Sequence, residues 1–190
     1  MDLDDLIKKA DSDAKAKSSK EELMAEIAEK TAQSKRLDKE LDELTVNRKR
    51  QIDKVIIDEI SHLLAAKGFQ FSEDNSKYVY SYKDVLLFEV IISDTNRTFT
   101  LIQGGEKNKI RKFDYLFSYK VMKESPSVVV QPNQDSLVKQ IEDLQKDIEF
   151  LEYAIKAINS ISYKIKLESE GKGYYLCDNA EKVIEMLINK

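Results

Sequence analysis

The chain has 190 residues, of which 35% are charged and 42% hydrophobic, with a formal net charge of -4 and a single cysteine. This near balance of charge creates no large field of one sign that would recruit or repel nucleic acid, and a lone Cys177 excludes an intrachain disulfide. The longest apolar run, at residues 85–92, contains Glu89 and is far too short to cross a bilayer. We therefore expect a cytoplasmic protein with no membrane partner, and the Lys-, Ile- and Asn-rich composition suits a bacterial or phage genome.

Residues 1–18 predict a flexible N-terminal arm. Leu3, Leu6 and Ile7 have the spacing of one or two amphipathic turns, and the polar, small residues that follow are typical of a linker or a frayed helix. Ser18 with Glu21, or Ser19 with Glu22, then has the spacing of a capping box, which predicts the start of a helix.

A long helix is predicted over residues 19–67, because no glycine or proline occurs between this start and Gly68. A narrow apolar stripe becomes a wide one near the middle, which indicates a stalk that continues into a globular body. The narrow part contains Leu23, Met24, Ile27, Leu37, Leu41 and Leu44, and the wide part contains Ile52, Val55, Ile56, Ile60, Leu63 and Leu64.

Residues 68–133 predict an antiparallel sheet domain of four or five strands, packed by the second half of the long helix. Tyr78, Tyr80 and Tyr82 alternate with other residues as on a half-buried strand, and residues 85–92 are apolar on both faces, as in a central strand. Further strand patterns occupy residues 97–102 and 113–121, and three valines at 128–130 are expected to add an edge strand.

Residues 134–160 carry the clearest pattern in the sequence, a coiled-coil helix of about three heptads. Three interpretations stay open: a parallel dimer between chains, an intrachain antiparallel pair in which Leu37, Leu41 and Leu44 face Leu144, Ile148 and Leu151, and an ordinary packed helix. The heptad positions are Ile141, Ile148 and Ile155 at a, and Leu137, Leu144, Leu151 and Ile158 at d.

Residues 161–190 predict a β-hairpin with a turn at 171–173, and a last helix capped by Asp178 or Asn179. About thirty residues make a poor independent core, so we expect this segment to join the sheet domain. The predicted fold is therefore α+β, with a long N-terminal helix and a heptad helix flanking a small antiparallel sheet.

A basic run of Lys107, Lys109, Arg111 and Lys112 lies beside two aromatic residues, a combination that binds single-stranded nucleic acid through phosphate contacts and base stacking. Residues 48–50 form a second basic cluster. The competing interpretation is a solvated hairpin tip and an exposed helix face.

The row of Tyr78, Tyr80 and Tyr82 is a candidate partner-binding surface, because tyrosine is enriched at binding hot spots. Packing against the helix is the alternative. His62 and Cys177 are expected to be structural, and no spacing predicts a catalytic, cofactor-binding or metal site.

These observations predict a non-enzymatic protein–protein interaction protein, such as an adaptor, a scaffold component or a small phage or bacterial inhibitor. It would assemble as a homo-oligomer, with a dimer favoured, through its coiled-coil helices. The alternatives are a nucleic-acid-binding protein that uses the basic run, and an enzyme of unidentified class.

Overall fold

The computed structural model describes residues 3–93, 96–119, 134–168 and 173–189, without the side chains of residues 4, 5, 107–109, 134 and 189. The chain forms two compact units. Unit 1 comprises Met1–Leu44 and Lys120–Ile158, and unit 2 comprises Thr45–Tyr119 and Asn159–Lys190. The edge strand expected at 128–130 and most of the turn expected at 171–173 lie outside the described residues.

The first helix, α1, spans Leu3–Ala65 and contributes to both units. It begins near the N-terminus rather than at Ser19, so the segment expected to be a flexible arm is helical. Alanine and lysine are strong helix formers and are abundant there, and neither glycine nor proline interrupts them. Ser18 Oγ lies 3.5 Å from Glu22 Oε1 inside the helix and does not cap its start.

The end of α1 is fixed by Gly68, as the sequence predicts. Gly68 has a φ of 85°, its N–H donates to the Ala65 carbonyl at 2.9 Å, and the Phe69 N–H donates to the Leu64 carbonyl at 3.1 Å. These two bonds form a Schellman motif, which requires a residue that tolerates positive φ.

Unit 1 is built from α1 and α2, which spans Gln134–Ala157. Leu37, Ile148 and Leu151 form a buried cluster, against which Leu41 and Ile155 pack. Lys30 Nζ also donates to Gln145 Oε1 at 2.8 Å. The two helices therefore pair within one chain.

The two helices run parallel, so the antiparallel direction given in the intrachain interpretation is wrong. Several of the residues that this interpretation paired, such as Leu37 and Leu151, do lie in the same cluster. Lys30 contacts Gln145, and the cluster that contains Leu37 lies further along both helices. An antiparallel pair with this polar contact would bring Leu37 towards Val138 instead of Ile148. The chain between Ala65 and Gln134 is long, so the two helices are not joined by the kind of short loop that makes neighbouring helices antiparallel.

Unit 2 contains a seven-stranded sheet in the order β1 to β7, in which every neighbouring pair is antiparallel. The C-terminal hairpin continues this sheet. The strands are β1 Gln70–Asp74, β2 Lys77–Tyr82, β3 Leu86–Ile92, β4 Arg97–Gln103, β5 Glu106–Phe117, β6 Tyr163–Glu168 and β7 Tyr174–Cys177.

Strand β5 changes partners along its length. Its residues up to Lys112 pair with β4, and its residues from Phe113 onward pair with β6. The strand therefore joins the β1–β4 meander to the β6–β7 hairpin.

The core of unit 2 lies on one face of the sheet, under the second half of α1 and under α3, which spans Ala180–Asn189. Alternate residues of strands β2 to β7 face this core, as the pleat requires. Its members include Ile52, Ile56 and Ile60 of α1, Phe88, Phe99, Phe113 and Ile165 of the sheet, and Val183 and Leu187 of α3.

The start of α3 is held by two side chains. Asn179 Oδ1 accepts from the Lys182 N–H at 2.9 Å, which makes Asn179 the cap. Glu59 of α1 accepts from the Ala180 N–H at 3.2 Å and so ties α3 to α1.

Cys177 is fully buried in this core, and burial raises the pKa of its thiol. Because the thiolate is the reactive form, we expect the native protein to be inert to a disulfide reagent such as DTNB at neutral pH. One equivalent should react after denaturation. Rapid reaction of the native protein would show that α3 and β7 open readily.

Candidate interaction edge and basic cleft

The residues predicted for oligomerisation lie on the two helices of unit 1, except Ile158, which directly follows α2. Leu37, Leu137, Ile148, Leu151 and Ile158 are buried, whereas Leu41, Leu44, Ile141, Leu144 and Ile155 are half-buried. The contacts between α1 and α2 of one chain thus occupy the central part of the seam that these residues form. Assembly of several copies through it stays a prediction.

The three tyrosines predicted as a partner surface have different environments. Tyr80 is buried, its hydroxyl lies 2.9 Å from Ser61 Oγ, and burial raises its pKa. It therefore packs against α1, as the alternative interpretation expects. Tyr78 and Tyr82 are half-buried and contact exposed or half-buried aromatic residues of the neighbouring chain segment.

Strand β1 is the first strand of the sheet and is exposed along its whole length. Phe71 is 51% exposed, and its ring centroid lies 6.4 Å from that of Tyr78 and 5.2 Å from that of Tyr80. Glu73 and Asp74 are also exposed. The sequence analysis did not identify this edge, because the polar residues at 72–76 show no apolar alternation that would predict a strand.

The turn between β1 and β2 sets which backbone groups of β1 are free. Asn75 and Ser76 have φ values of 43° and 68°, the pattern of a two-residue type I′ hairpin. Asp74 and Lys77 flank this turn and form a hydrogen-bonded pair, so the alternation of an antiparallel ladder directs the N–H groups of Glu73 and Phe71 away from β2. The outer edge of β1 therefore offers two backbone donors beside an exposed aromatic ring.

A buried polar network ties α1 to the sheet. Asp53 accepts from Nε and Nη2 of Arg97, each at 2.8 Å, and from the Tyr115 hydroxyl at 2.7 Å. Asp53 is 5% exposed and Arg97 9% exposed. The hydrogen bonds to Asp53 raise the pKa of Arg97, and burial together with the adjacent Asp53 strongly raises the pKa of Tyr115.

A cleft of about 490 Å³ lies in unit 2 where β5 changes from β4 to β6. Lys49 pairs across it with Asp114 at 2.7 Å. Arg97 belongs to the buried network, and Lys166 places its ammonium 4.4 Å from the centroid of the Tyr174 ring. In the part of the chain that the structure describes, the charged residues of the lining are Lys49, Arg97, Lys112, Lys166, Asp114 and Glu168.

The residues of the basic run have different environments in the structure. Arg111 is 7% exposed and has contacts of its own, whereas Lys112 is exposed and lines the cleft. Lys107 and Lys109 lie in β5, and their side chains are outside the described part of the chain. Lys49, from the second basic cluster, lies in the same cleft as Lys112, and only the packing of α1 against the sheet could have indicated that meeting.

His62 is exposed, so it is not the core or boundary residue that its apolar neighbours predict. It lines a shallow groove with Asp58 and Glu59. Among the described residues, no group of three or more His, Cys, Asp and Glu side chains could hold a metal ion. No helix in the described ranges is long and apolar enough to span a membrane.

Comparisons of the chain with protein-family models, with curated proteins and with solved structures find no match.

Proposed function

We propose that this chain is a non-enzymatic protein-interaction protein, and that the outer edge of β1 is its binding surface. The observation that carries the proposal is the complete exposure of β1 at one end of the sheet, with Phe71 half exposed beside it. An open strand edge pairs readily with another extended chain, so proteins usually shorten or cover such edges.

The bound segment would add a strand to the sheet. The backbone N–H groups of Phe71 and Glu73 supply donors at the edge, and main-chain hydrogen bonds of this kind provide affinity in β-strand addition. The exposed ring of Phe71, stacked on Tyr78, supplies apolar area for a side chain of the partner. The tyrosines predicted as a partner surface would thus contribute to binding mainly by packing against the ring of Phe71.

Charge complementarity indicates the chemistry of the partner. Glu73 and Asp74 are exposed on β1, whereas the neighbouring Lys77 is paired with Glu89 at 2.8 Å. An extended segment that carries lysine or arginine would neutralise the two carboxylates and could place a cation over Phe71. We therefore propose a basic, extended segment of another protein as the occupant.

The substitution Glu73→Pro tests the proposal, because proline removes the outward N–H and is tolerated at an edge strand whose N–H faces solvent. We expect it to weaken partner binding about tenfold or more while the fold is retained. The measurement is affinity capture by wild-type and variant protein, with bound proteins identified and quantified by mass spectrometry.

The matched control is Glu73→Thr, which also lacks the carboxylate but keeps the N–H and suits a strand. The proposal requires one protein to be retained by the wild type, to be retained more weakly by Glu73→Thr because the carboxylate is missing, and to be lost by Glu73→Pro. Glu73→Lys should weaken that binding as well if the partner is basic. Retention of the same proteins by all variants would exclude the β1 edge as the binding surface.

A further inference from the structure

We propose that the cleft at the partner change of β5 binds a phosphate group. This inference is independent of the β1 edge, because it rests on Lys49, Lys112 and Lys166 at a different part of unit 2. A volume of about 490 Å³ falls in the range of pockets that bind small molecules.

The charges that line the cleft favour an anion. Among the described residues, four cationic and two carboxylate side chains line it, and Asp53 is ion-paired with Arg97. The sum is one positive charge in excess, in a chain whose net charge is -4. Lys49 and Arg97 have carboxylate partners, so Lys112 and Lys166 carry the surplus.

Part of the cleft is held in place before any ligand arrives. Two of the five guanidinium N–H donors of Arg97 bind Asp53, and this two-point contact fixes the plane of the group. Arg97 is at least nine-tenths buried, so a phosphate beside it would experience less solvent screening than at an exposed lysine. An arginine held in this way beside the exposed Lys112 and Lys166 is a combination that suits phosphate oxygens.

The phosphate could belong to a small molecule or to a nucleic-acid strand. The cleft departs from the basic-hairpin hypothesis for nucleic acid, since of the two residues of that run with described side chains, Lys112 lines it and Arg111 does not. The size of the cavity favours a small organic phosphate, and a single strand is the second source that the experiment must separate.

The test is a titration of the full ¹⁵N-labelled chain with inorganic phosphate, adenosine monophosphate and a (dT)12 oligonucleotide, followed by amide chemical shifts. We expect saturable shifts at Arg97, Lys112 and Lys166 with phosphate. Lys166→Gln should weaken phosphate binding about three- to fivefold, and the double variant Lys112→Gln/Lys166→Gln about tenfold or more.

Lys164→Gln is the matched control, because Lys164 is exposed two residues away on β6 and does not line the cleft. Its affinity for phosphate should stay within about twofold of the wild type. Equal losses for Lys164→Gln and Lys166→Gln, or shifts that never saturate, would overturn the proposal. If adenosine monophosphate binds more tightly per phosphate than (dT)12, the natural ligand is a small organic phosphate. If (dT)12 binds more tightly and its affinity falls steeply with salt, the natural ligand is a nucleic-acid strand.

Discussion

Replacing Asp53 by leucine is expected to destabilise unit 2 by about 3–5 kcal/mol, because it leaves the guanidinium of Arg97 buried without its carboxylate. The Tyr115 hydroxyl loses its acceptor in the same variant. For a chain of this length, the loss corresponds to a fall in melting temperature of about 10 °C. Urea and thermal unfolding, followed by circular dichroism, measure it.

The double variant Asp53→Leu/Arg97→Met separates the cost of the unpaired charge from a packing defect. Replacing a whole buried ion pair by apolar side chains is often neutral or stabilising, so the second substitution should restore at least half of the loss. If the double variant is as unstable as Asp53→Leu alone, the destabilisation comes from packing around position 53 or from the unpaired Tyr115 hydroxyl instead.

Aspartate at both Ile148 and Leu151 should remove most of the helicity of α2. Each side chain loses roughly 1.5–3 kcal/mol of burial, and two carboxylates enter an apolar cluster that has no cation among its members. Circular dichroism at 222 nm reports the helix, and the reactivity of Cys177 reports unit 2 separately. We expect the helical signal to fall while the thiol stays protected.

Val138→Asp is the control for this variant, because Val138 is exposed on the same helix and lies outside the cluster. It should leave the helical signal almost unchanged. Light-scattering mass then addresses assembly. An unchanged mass for Ile148→Asp/Leu151→Asp fits a seam that acts within one chain, and a lower mass would show that the seam also holds copies together.

The elements of this fold could be predicted from local sequence, because their signals are local. Alternation and one continuous apolar run placed most of the strands, the absence of glycine and proline before Gly68 placed the long helix, and the heptads placed α2. The start of α1 was harder to place, since capping-box residues such as Ser18 also occur inside helices and the polar stretch before them has no strong pattern.

The relations between elements could not be predicted from the same signals. The apolar stripes on α1 and α2 are compatible with a parallel or an antiparallel pair. The contact of Lys30 with Gln145, taken together with the cluster of Leu37 and Ile148, shows that the pair is parallel. The cleft depends on strand register, which brings Lys112 of β5 near Lys166 of β6 although more than fifty positions separate them. Charge patterns in sequence do not report which basic residues, such as Arg111, turn inward.

The division of β5 between two partners has a consequence for the order of folding. The β1–β5 meander closes through short turns, so its contacts are available early and at low entropic cost. The pairing of Phe113 with Leu167 must wait until the whole of α2 has been made, and closing that long loop costs about 2 kcal/mol more than closing a tight turn. During synthesis, the second half of β5 and the apolar side chains that later meet α3 therefore emerge before their partners exist. We expect this interval to be the stage at which the nascent chain is most prone to aggregation.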